Sequence, residues 1–389
     1  MIATALRRVC ILGAAALLAA CGQIVPEPRD LPPPGAPAPL SRGPAIASLS
    51  FTDADARGAL SAFRASCPQL LRREDKSGLI EGRAWRGVCD LAANWPASDA
   101  RRFFLQHFET AQLRDGRAFA TGYFEPSIAG SRTRLPGYDV PVYAMPDDLV
   151  RVWPADMPAS ERTGRPPLGR INERGEYELY YDRAAIEDGA LAGRGLEIAW
   201  AKDPVEFFFL QIQGSGMLRA PDGTIMRIGY AGQNGREYVG IGGVMRERGL
   251  LGDGPGQYAG SMQGIVRYIR ENPVEGRALM RLNKSWIFFR ELSTGPVGAM
   301  GIEVTAENTV ATDPAYIPLG APVWLDLDRD VADGLWVAQD TGGAIKGANR
   351  FDTFWGNGDR AAEIAGGMSG RGQAYVLLPR GTLERRGVR

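Results

Sequence analysis

Histidine and cysteine are scarce in this chain of 389 residues, which contains one histidine, His107, and four cysteines. Zinc sites and Cys–His nucleophiles draw on several such residues, so we expect neither, and we expect no metal or organic cofactor. Neither sign of charge predominates, because 45 basic residues balance 45 acidic ones. This balance gives no indication of nucleic-acid binding.

Long apolar runs are also few, and the N-terminal apolar stretch, residues 9–20, is too short to span a membrane as a mature helix. Two arginines precede it and Leu-Ala-Ala-Cys-Gly ends it, a pattern typical of a bacterial lipobox. We therefore expect residues 1–20 to be a signal peptide and Cys21 to be lipidated; an ordinary secretory signal is the alternative. Residues 21–45, rich in proline and alanine, are typical of a semi-rigid tether. The expected location is the outer membrane of a Gram-negative bacterium, facing the periplasm.

Export leaves two cysteines for the folded part of the chain, Cys67 and Cys89. In an oxidising compartment we expect a disulfide between them, which would stabilise the fold by about 3 kcal/mol on the loop-entropy model. Two buried thiols are the alternative.

Glycine and proline are abundant, with 50 and 27 residues, which favours many short strands and turns over a helix bundle. Residues 50–110 have helical periodicity, and His107 shares a helix side with phenylalanines, so we expect it to be a packing residue. From Phe119 the pattern changes to short segments broken by glycine and proline. Residues 217–230 predict a β-hairpin, and residues 262–269 predict a helix. The sequence therefore predicts two β-barrel-like domains with a few helices packed on them.

Three aspartates carry the clearest chemical signal. Asp340 and Asp352 flank a glycine-rich turn, and Asp313 lies upstream in Ala-Thr-Asp-Pro. The glycines allow tight turns through which side chains of neighbouring segments converge. Convergent carboxylates are costly to bury unless they are paired, hydrogen-bonded or used. The pattern therefore indicates chemistry performed by carboxylates.

Several longer motifs resemble the membrane-bound lytic transglycosylase A family of bacterial cell-wall enzymes, with its C-terminal three-aspartate (3D) domain. The similarity covers nearly all of residues 50–380, in order. Besides the aspartates, it is carried by segments 122–126 (Gly-Tyr-Phe-Glu-Pro), 207–216 (Phe-Phe-Phe-Leu-Gln-Ile-Gln-Gly-Ser-Gly), 230–236 (Tyr-Ala-Gly-Gln-Asn-Gly-Arg), 288–291 (Phe-Phe-Arg-Glu) and 298–301 (Gly-Ala-Met-Gly).

The resemblance implies a mainly β fold with a few helices. A double-psi β-barrel, with helices at its N-terminal side, would be built from residues 46–125 and 285–389. A second β-barrel, residues 126–284, would be inserted between these segments, and a groove would run between the two barrels. A monomer is expected, with peptidoglycan strands as the main partner, a lipid anchor in the outer membrane, and cell-wall synthesis or division proteins as further partners.

The implied reaction cleaves the β-1,4 bond between N-acetylmuramic acid and N-acetylglucosamine in peptidoglycan. The muramyl C6 hydroxyl closes on its own C1 and leaves a 1,6-anhydro sugar. Because this nucleophile is tethered to the electrophile, one acid can suffice where most glycosidases need two. The family's general acid/base aspartate falls on Asp352, and we expect Asp340 and Asp313 to support it structurally.

An acid of this kind must be protonated near neutral pH, whereas free aspartate titrates at about 3.9. We expect burial and the charge of Asp340 or Asp313 to raise the pKa of Asp352. Lys346 would lower it, so we expect that ammonium group to point at sugar or backbone. The other candidate sugar-binding residues are Gln213, Ser215, Tyr123, Asn234 and Arg236.

Three other functions compete with this interpretation. Asp340-Thr341-Gly342 matches the catalytic triplet of aspartic proteases, but such enzymes need two of these carboxylates and no second triplet is present. A non-catalytic peptidoglycan-binding lipoprotein would have a similar groove. A conventional glycoside hydrolase would produce reducing ends in place of anhydro ends.

Overall fold

A computed structural model of the chain describes residues 39–388. The predicted signal peptide, the lipidation site Cys21 and most of the predicted tether lie outside the described residues. Within residues 39–388 no helix combines the length and the apolar character that crossing a bilayer would require.

The strands in this part of the chain are β1 (Leu40–Arg42), β2 (Phe108–Leu113), β3 (Arg117–Glu125), β4 (Ser127–Ser131), β5 (Val140–Tyr143), β6 (Val150–Arg151), β7 (Leu168–Ile171), β8 (Tyr177–Glu178), β9 (Glu197–Ala201), β10 (Ser215–Arg219), β11 (Ile225–Gln233), β12 (Ile287–Leu292), β13 (Thr309–Ala311), β14 (Pro322–Leu327), β15 (Gly334–Asp340), β16 (Arg350–Asn357) and β17 (Ser369–Pro379). The helices are α1 (Asp53–Leu70), α2 (Arg86–Asn94), α3 (Ala100–His107), α4 (Arg183–Glu187), α5 (Pro204–Gln213), α6 (Ile241–Glu247), α7 (Met262–Glu271), α8 (Pro273–Leu282), α9 (Asp359–Gly367) and α10 (Thr382–Arg385).

Six strands close into a barrel, in the order β3, β17, β14, β15, β13, β16 and back to β3. Strand β16 pairs with β3 in parallel, and β3 pairs with β17 in the antiparallel sense, which completes the ring. Strands β2 and β1 extend the sheet outward from β17. Closure leaves the barrel strands without free edges. This architecture confirms the predicted mainly β fold class.

A second sheet of six strands has the order β12, β11, β10, β4, β9, β5. Its end strands β12 and β5 approach each other, so the sheet curves into a barrel-like unit with its own apolar core. Strand β12 pairs with β11, so this unit extends to Leu292, beyond the boundary at residue 284 that the sequence predicts. A small sheet of β6, β7 and β8 is appended to it.

Helix α1 begins in a capping box, in which the Thr52 hydroxyl accepts from the backbone of Asp55 and the Asp55 carboxylate accepts from the backbone of Thr52. The helix packs against β15, where the buried side chain of Gln339 donates to Ala62 O at 2.8 Å. These contacts fix the end of the strand that carries Asp340.

A disulfide between Cys67 and Cys89 joins α1 to α2, with the Cα atoms 5.6 Å apart, in agreement with the expected pairing. His107 packs edge-on against Trp95, with ring centroids 5.2 Å apart, and burial lowers the pKa of its imidazole. Its position is that of the packing residue the sequence predicts.

Candidate active site

Strands β3 and β16 carry the chemical groups of the site. They run side by side in parallel, and Asp352 pairs in register with Thr121 while Phe354 pairs with Tyr123. Because side chains alternate between the two faces of a strand, Arg350 shares a face of β16 with Asp352. The barrel closure therefore brings an acid, a hydroxyl and a guanidinium together.

The Asp352 carboxylate is held by one hydroxyl. Thr121 Oγ1 donates to Asp352 Oδ1 at 2.5 Å, and Arg350 Nη2 donates to Thr121 Oγ1 at 2.8 Å. Arginine has no acceptor atoms, so the hydroxyl proton of Thr121 points towards the aspartate. The guanidinium thus reaches Asp352 through Thr121, and the structure between residues 39 and 388 shows no direct ion pair between the two.

Burial raises the pKa of Asp352 from its ordinary value of 3.8 to about 6. The charge of Arg350 and the hydrogen bond from Thr121 act in the opposite direction, and the charge of Asp340 adds to the rise. Desolvation has the largest effect on the pKa of Asp352, because burial penalises the charged carboxylate. The guanidinium of Arg350 offsets it only in part, since the Thr121 hydroxyl lies between the two groups. A carboxyl group with this pKa can both give and take a proton near neutral pH.

The Asp340 carboxylate is fully engaged. Its Oδ2 accepts from the Tyr123 hydroxyl at 3.0 Å, and its Oδ1 accepts from the backbone N–H groups of Ala299 and Thr341, each at 2.9 Å. Burial raises the pKa of Asp340, and these three donors act against the rise. Asp340 therefore holds the strand end, the following turn and the tyrosine in place.

The Asp313 carboxylate also accepts hydrogen bonds from backbone N–H groups. It is 7% exposed, and its two oxygens accept from the N–H groups of Gly347, at 2.9 Å, and of Ala315, at 3.1 Å. The first bond joins two loops that are distant in sequence. The oxygens of Asp340 and Asp313 are thus bonded mainly to backbone N–H groups, and their supporting role stays a prediction.

Gln213 and Tyr123 lie where the barrel meets the second unit. Gln213, the last residue of α5, accepts from the backbone N–H of Phe124 on β3 at 3.0 Å. Gly214 ends the helix with a φ of 79°, and Ser215 follows, partly exposed, at the start of β10. Tyr123 is 9% exposed and packs on Phe354, with ring centroids 4.9 Å apart.

The remaining candidates make no contact with the acid in residues 39–388. Asn234 is fully buried, and Arg236 donates to Tyr180 O at 2.6 Å. Both side chains bond the backbone of their own unit, so their geometry gives no support to direct sugar binding. Lys346 is exposed, and no ion pair links it to Asp352 in the described part of the chain. That the Lys346 ammonium group points at sugar or backbone stays a prediction.

Thr121 and Arg350 are the functional residues that the sequence reasoning missed. The signal for Arg350 is its spacing of two from Asp352 on one strand. Thr121 could not be found in this way, because its register opposite Asp352 depends on the pairing of strands distant in sequence.

A cavity of about 1100 Å³ opens elsewhere, on the second unit, between α5, α8 and the sheet. Trp200, Phe207 and Trp286 are among its lining residues, and none of the aspartates described above contributes to it. We do not assign the chemistry to this cavity, because most of its charged side chains are paired with one another.

Comparison with known proteins gives the same picture over most of the chain. The family model of the MltA specific insert domain matches residues 119–290, and that of the 3D domain matches residues 308–378. The membrane-bound lytic murein transglycosylase A of Vibrio cholerae is 30% identical over 313 residues, which cover 76% of each chain.

Two solved structures are similar in fold as well. The crystal structure of a membrane-bound lytic murein transglycosylase from Agrobacterium tumefaciens superposes with a TM-score of 0.77 at 29% identity, covering 89% of this chain and 99% of that one. The crystal structure of MltA from Neisseria gonorrhoeae in its monoclinic form has a TM-score of 0.69 at 37% identity, covering 87% and 90%. With the closed barrel, the inserted unit and the buried aspartates, these similarities show that the chain belongs to the membrane-bound lytic murein transglycosylase A family and is a lytic transglycosylase.

Proposed function

We propose that the chain cleaves the β-1,4 bond between N-acetylmuramic acid and N-acetylglucosamine in peptidoglycan, leaving a 1,6-anhydromuramyl end, with Asp352 as the single general acid and base. The observation that carries the proposal is the Asp352 carboxyl group between strands β3 and β16, held by Thr121 Oγ1 at 2.5 Å, whose pKa burial raises to about 6. Asp340 and Asp313 have their oxygens occupied by hydrogen bonds, which leaves Asp352 as the acid free to act.

The hydrogen bonds around Asp352 support different roles for its two oxygens. Oδ1 accepts from Thr121, whose own oxygen accepts from Arg350. A carboxylic acid in this arrangement carries its proton on Oδ2, since Oδ1 is already an acceptor. In the proposed reaction Thr121 and Arg350 orient the acid, and Oδ2 is the oxygen that gives the proton to the glycosidic bond.

The proton balance needs no water. Asp352 gives its proton to the glycosidic oxygen, and the bond between that oxygen and the muramyl C1 breaks. The muramyl C6 hydroxyl attacks C1, and its proton passes to the Asp352 carboxylate, which restores the acid for the next cycle. Because the nucleophile belongs to the same sugar as the electrophile, its effective concentration is high and a second catalytic carboxylate is unnecessary.

Digestion of purified sacculi with a soluble form lacking Cys21 tests this reaction. Mass spectrometry of the released muropeptides should find anhydromuramyl ends, one water lighter than reducing ends. Asp352→Asn should abolish their release and preserve binding to sacculi. Reducing ends would indicate a hydrolase, and full release by the Asn variant would refute the role of Asp352.

We further propose that lipidated Cys21 attaches the protein to the outer membrane, on the side facing the periplasm. The support is the lipobox in the sequence and the membrane-bound relatives. Metabolic labelling with a radioactive fatty acid should label the wild-type protein, and Cys21→Ala should remove the label. Labelling of the variant would contradict the anchor.

A further inference from the structure

The second unit places Tyr238 against the glycine turn that follows Asp340, and the turn that contains Asn234 and Arg236 fixes its position. The Asn234 amide makes four hydrogen bonds: Nδ2 donates to Tyr181 O and Lys284 O, each at 2.9 Å, while Oδ1 accepts from the N–H of Trp286 at 2.9 Å and of Arg236 at 3.3 Å. A buried amide with all its capacity used holds the surrounding backbone in one geometry.

The same turn is pinned again further along. The N–H of Val239 donates to Asn283 Oδ1 at 3.2 Å, and Arg236 Nε donates to Tyr180 O at 2.6 Å. Tyr238 lies between these two anchor points. The motif that the sequence suggested for sugar binding is therefore a rigid support, and Tyr238 is the residue that it presents.

Tyr238 reaches the barrel at the turn that follows Asp340. A methyl group built on Gly343 would lie 3.7 Å from Tyr238 Cβ and 3.8 Å from its Cγ. This is ordinary van der Waals contact, so the ring lies against the glycine turn across the boundary between the two units. The absence of a side chain at Gly343 leaves room beside the ring.

The Tyr238 hydroxyl is within electrostatic range of the acid. Burial raises the pKa of Tyr238, the charge of Asp352 raises it further, and the charges of Arg350 and Arg183 act in the opposite direction. The phenol is therefore neutral at working pH and able to donate a hydrogen bond. Within residues 39–388 no group donates to this hydroxyl or accepts from it, whereas the Tyr123 hydroxyl is occupied by Asp340. Tyr238 is also partly exposed.

We infer that Tyr238 is a substrate-contacting residue, whose hydroxyl hydrogen-bonds an oxygen of the sugar bound at Asp352 and holds the scissile bond against the acid from the side of the second unit. The inference rests on the proposed function, because it requires a glycan in the space between the two units. It assigns the second unit a part in positioning the substrate at the point of cleavage.

Tyr238→Phe, Tyr238→Ala and a matched control, Tyr230→Phe, test the inference with soluble glycan strands as substrate. Tyr230 lies on β11 just before the turn and is 50% exposed. Loss of one hydrogen bond between neutral groups lowers kcat/KM by about tenfold, so we expect that fall for Tyr238→Phe and a larger one for the alanine variant. The control should keep wild-type values, and the melting temperatures of both Phe variants should match the wild type.

The pH–rate profile of Tyr238→Phe should keep its limb near pH 6, because Asp352 is untouched, and its products should still carry anhydro ends. Wild-type kinetics for Tyr238→Phe, or an equal loss in the Tyr230 control, would overturn the inference. Assaying Asp352→Asn in parallel distinguishes failure of the proposed function from failure of the inference about Tyr238. An active Asp352→Asn variant refutes the proposed function. An inactive Asp352→Asn variant together with a fully active Tyr238→Phe variant refutes the role of Tyr238 alone.

Discussion

Replacing Asp352 with Asn should inactivate the enzyme and make its fold more stable at neutral pH. The pKa of Asp352 is raised from 3.8 to about 6 on folding, mainly by burial. Below pH 3.8 the carboxyl group is protonated in both the folded and the unfolded state and does not affect stability. Between pH 3.8 and about 6 the unfolded state ionises while the folded state keeps its proton, so the folded state loses stability. Above pH 6 both states are ionised, and the loss stays constant. Each pKa unit corresponds to about 1.4 kcal/mol, so the carboxylate costs about 3 kcal/mol at pH 7.5. Asparagine removes this cost, and its carbonyl still accepts from Thr121.

The same relation fixes the pH dependence of the gain. At pH 4.5 the folded carboxyl is protonated and the unfolded one largely ionised, so the gain should fall to about 1 kcal/mol. With an unfolding entropy of about 2.1 cal/mol/K per residue over roughly 350 ordered residues, about 3 kcal/mol raises the melting temperature by about 4 °C. Differential scanning calorimetry at the two pH values measures both shifts.

Asp156→Asn is the matched control, since it makes the same change of charge at an exposed loop position. It should change the melting temperature little at either pH. The reasoning about burial is refuted if Asp352→Asn is no more stable than the wild type at pH 7.5, or if its gain is unchanged at pH 4.5.

Three further results are expected. Thr121→Val removes the hydroxyl that orients Asp352 and should lower kcat by about ten- to a hundredfold, the range for a hydrogen bond to a charged group. Thr121→Ser keeps the hydroxyl and should keep most of the activity. Equal activity of the Val and Ser variants would contradict the orienting role. Replacing both Cys67 and Cys89 with Ala opens a link between residues 22 apart and should cost about 3 kcal/mol of unfolding free energy, measured by denaturant titration, and an unchanged midpoint would contradict this. Lys346→Ala should leave the limb of the pH–rate profile near pH 6 in place, and an upward shift of that limb would show that the ammonium group acts on the acid.

Local sequence patterns predicted the parts of the fold that depend on near neighbours. The hairpin predicted for residues 217–230 is the antiparallel pair β10 and β11, and the helix ended by Asn272-Pro273 is α7. The sequence patterns do not predict helix α5, because three successive phenylalanines, Phe207–Phe209, are also typical of a buried strand. Asp203 caps that helix and Pro204 opens it, which is the start signal that would have identified it.

The sequence predicts those site residues that stand out within a short segment, but not the partners that long-range strand pairing brings to them. Asp352, Asp340 and Asp313 stand out in the sequence as acids among glycines, and the structure gives each a defined set of partners. The partners themselves come from strand pairing over long distances, which no local pattern encodes. Asn234 shows the reverse case, since a polar residue between glycines suggested ligand binding, whereas its amide is used entirely by nearby backbone.

The closure of the barrel by β3 and β16 separates the acid from its orienting hydroxyl by 231 positions along the chain. A polypeptide that is synthesised from its N-terminus cannot assemble this pair until just over nine-tenths of it, 352 of 389 residues, is made. During biosynthesis, fragments of the enzyme therefore hold a hydroxyl without an acid. The orientation of Asp352 therefore depends on the pairing of two strands distant in sequence, and truncation before β16 would remove the acid and leave Thr121 without its acceptor.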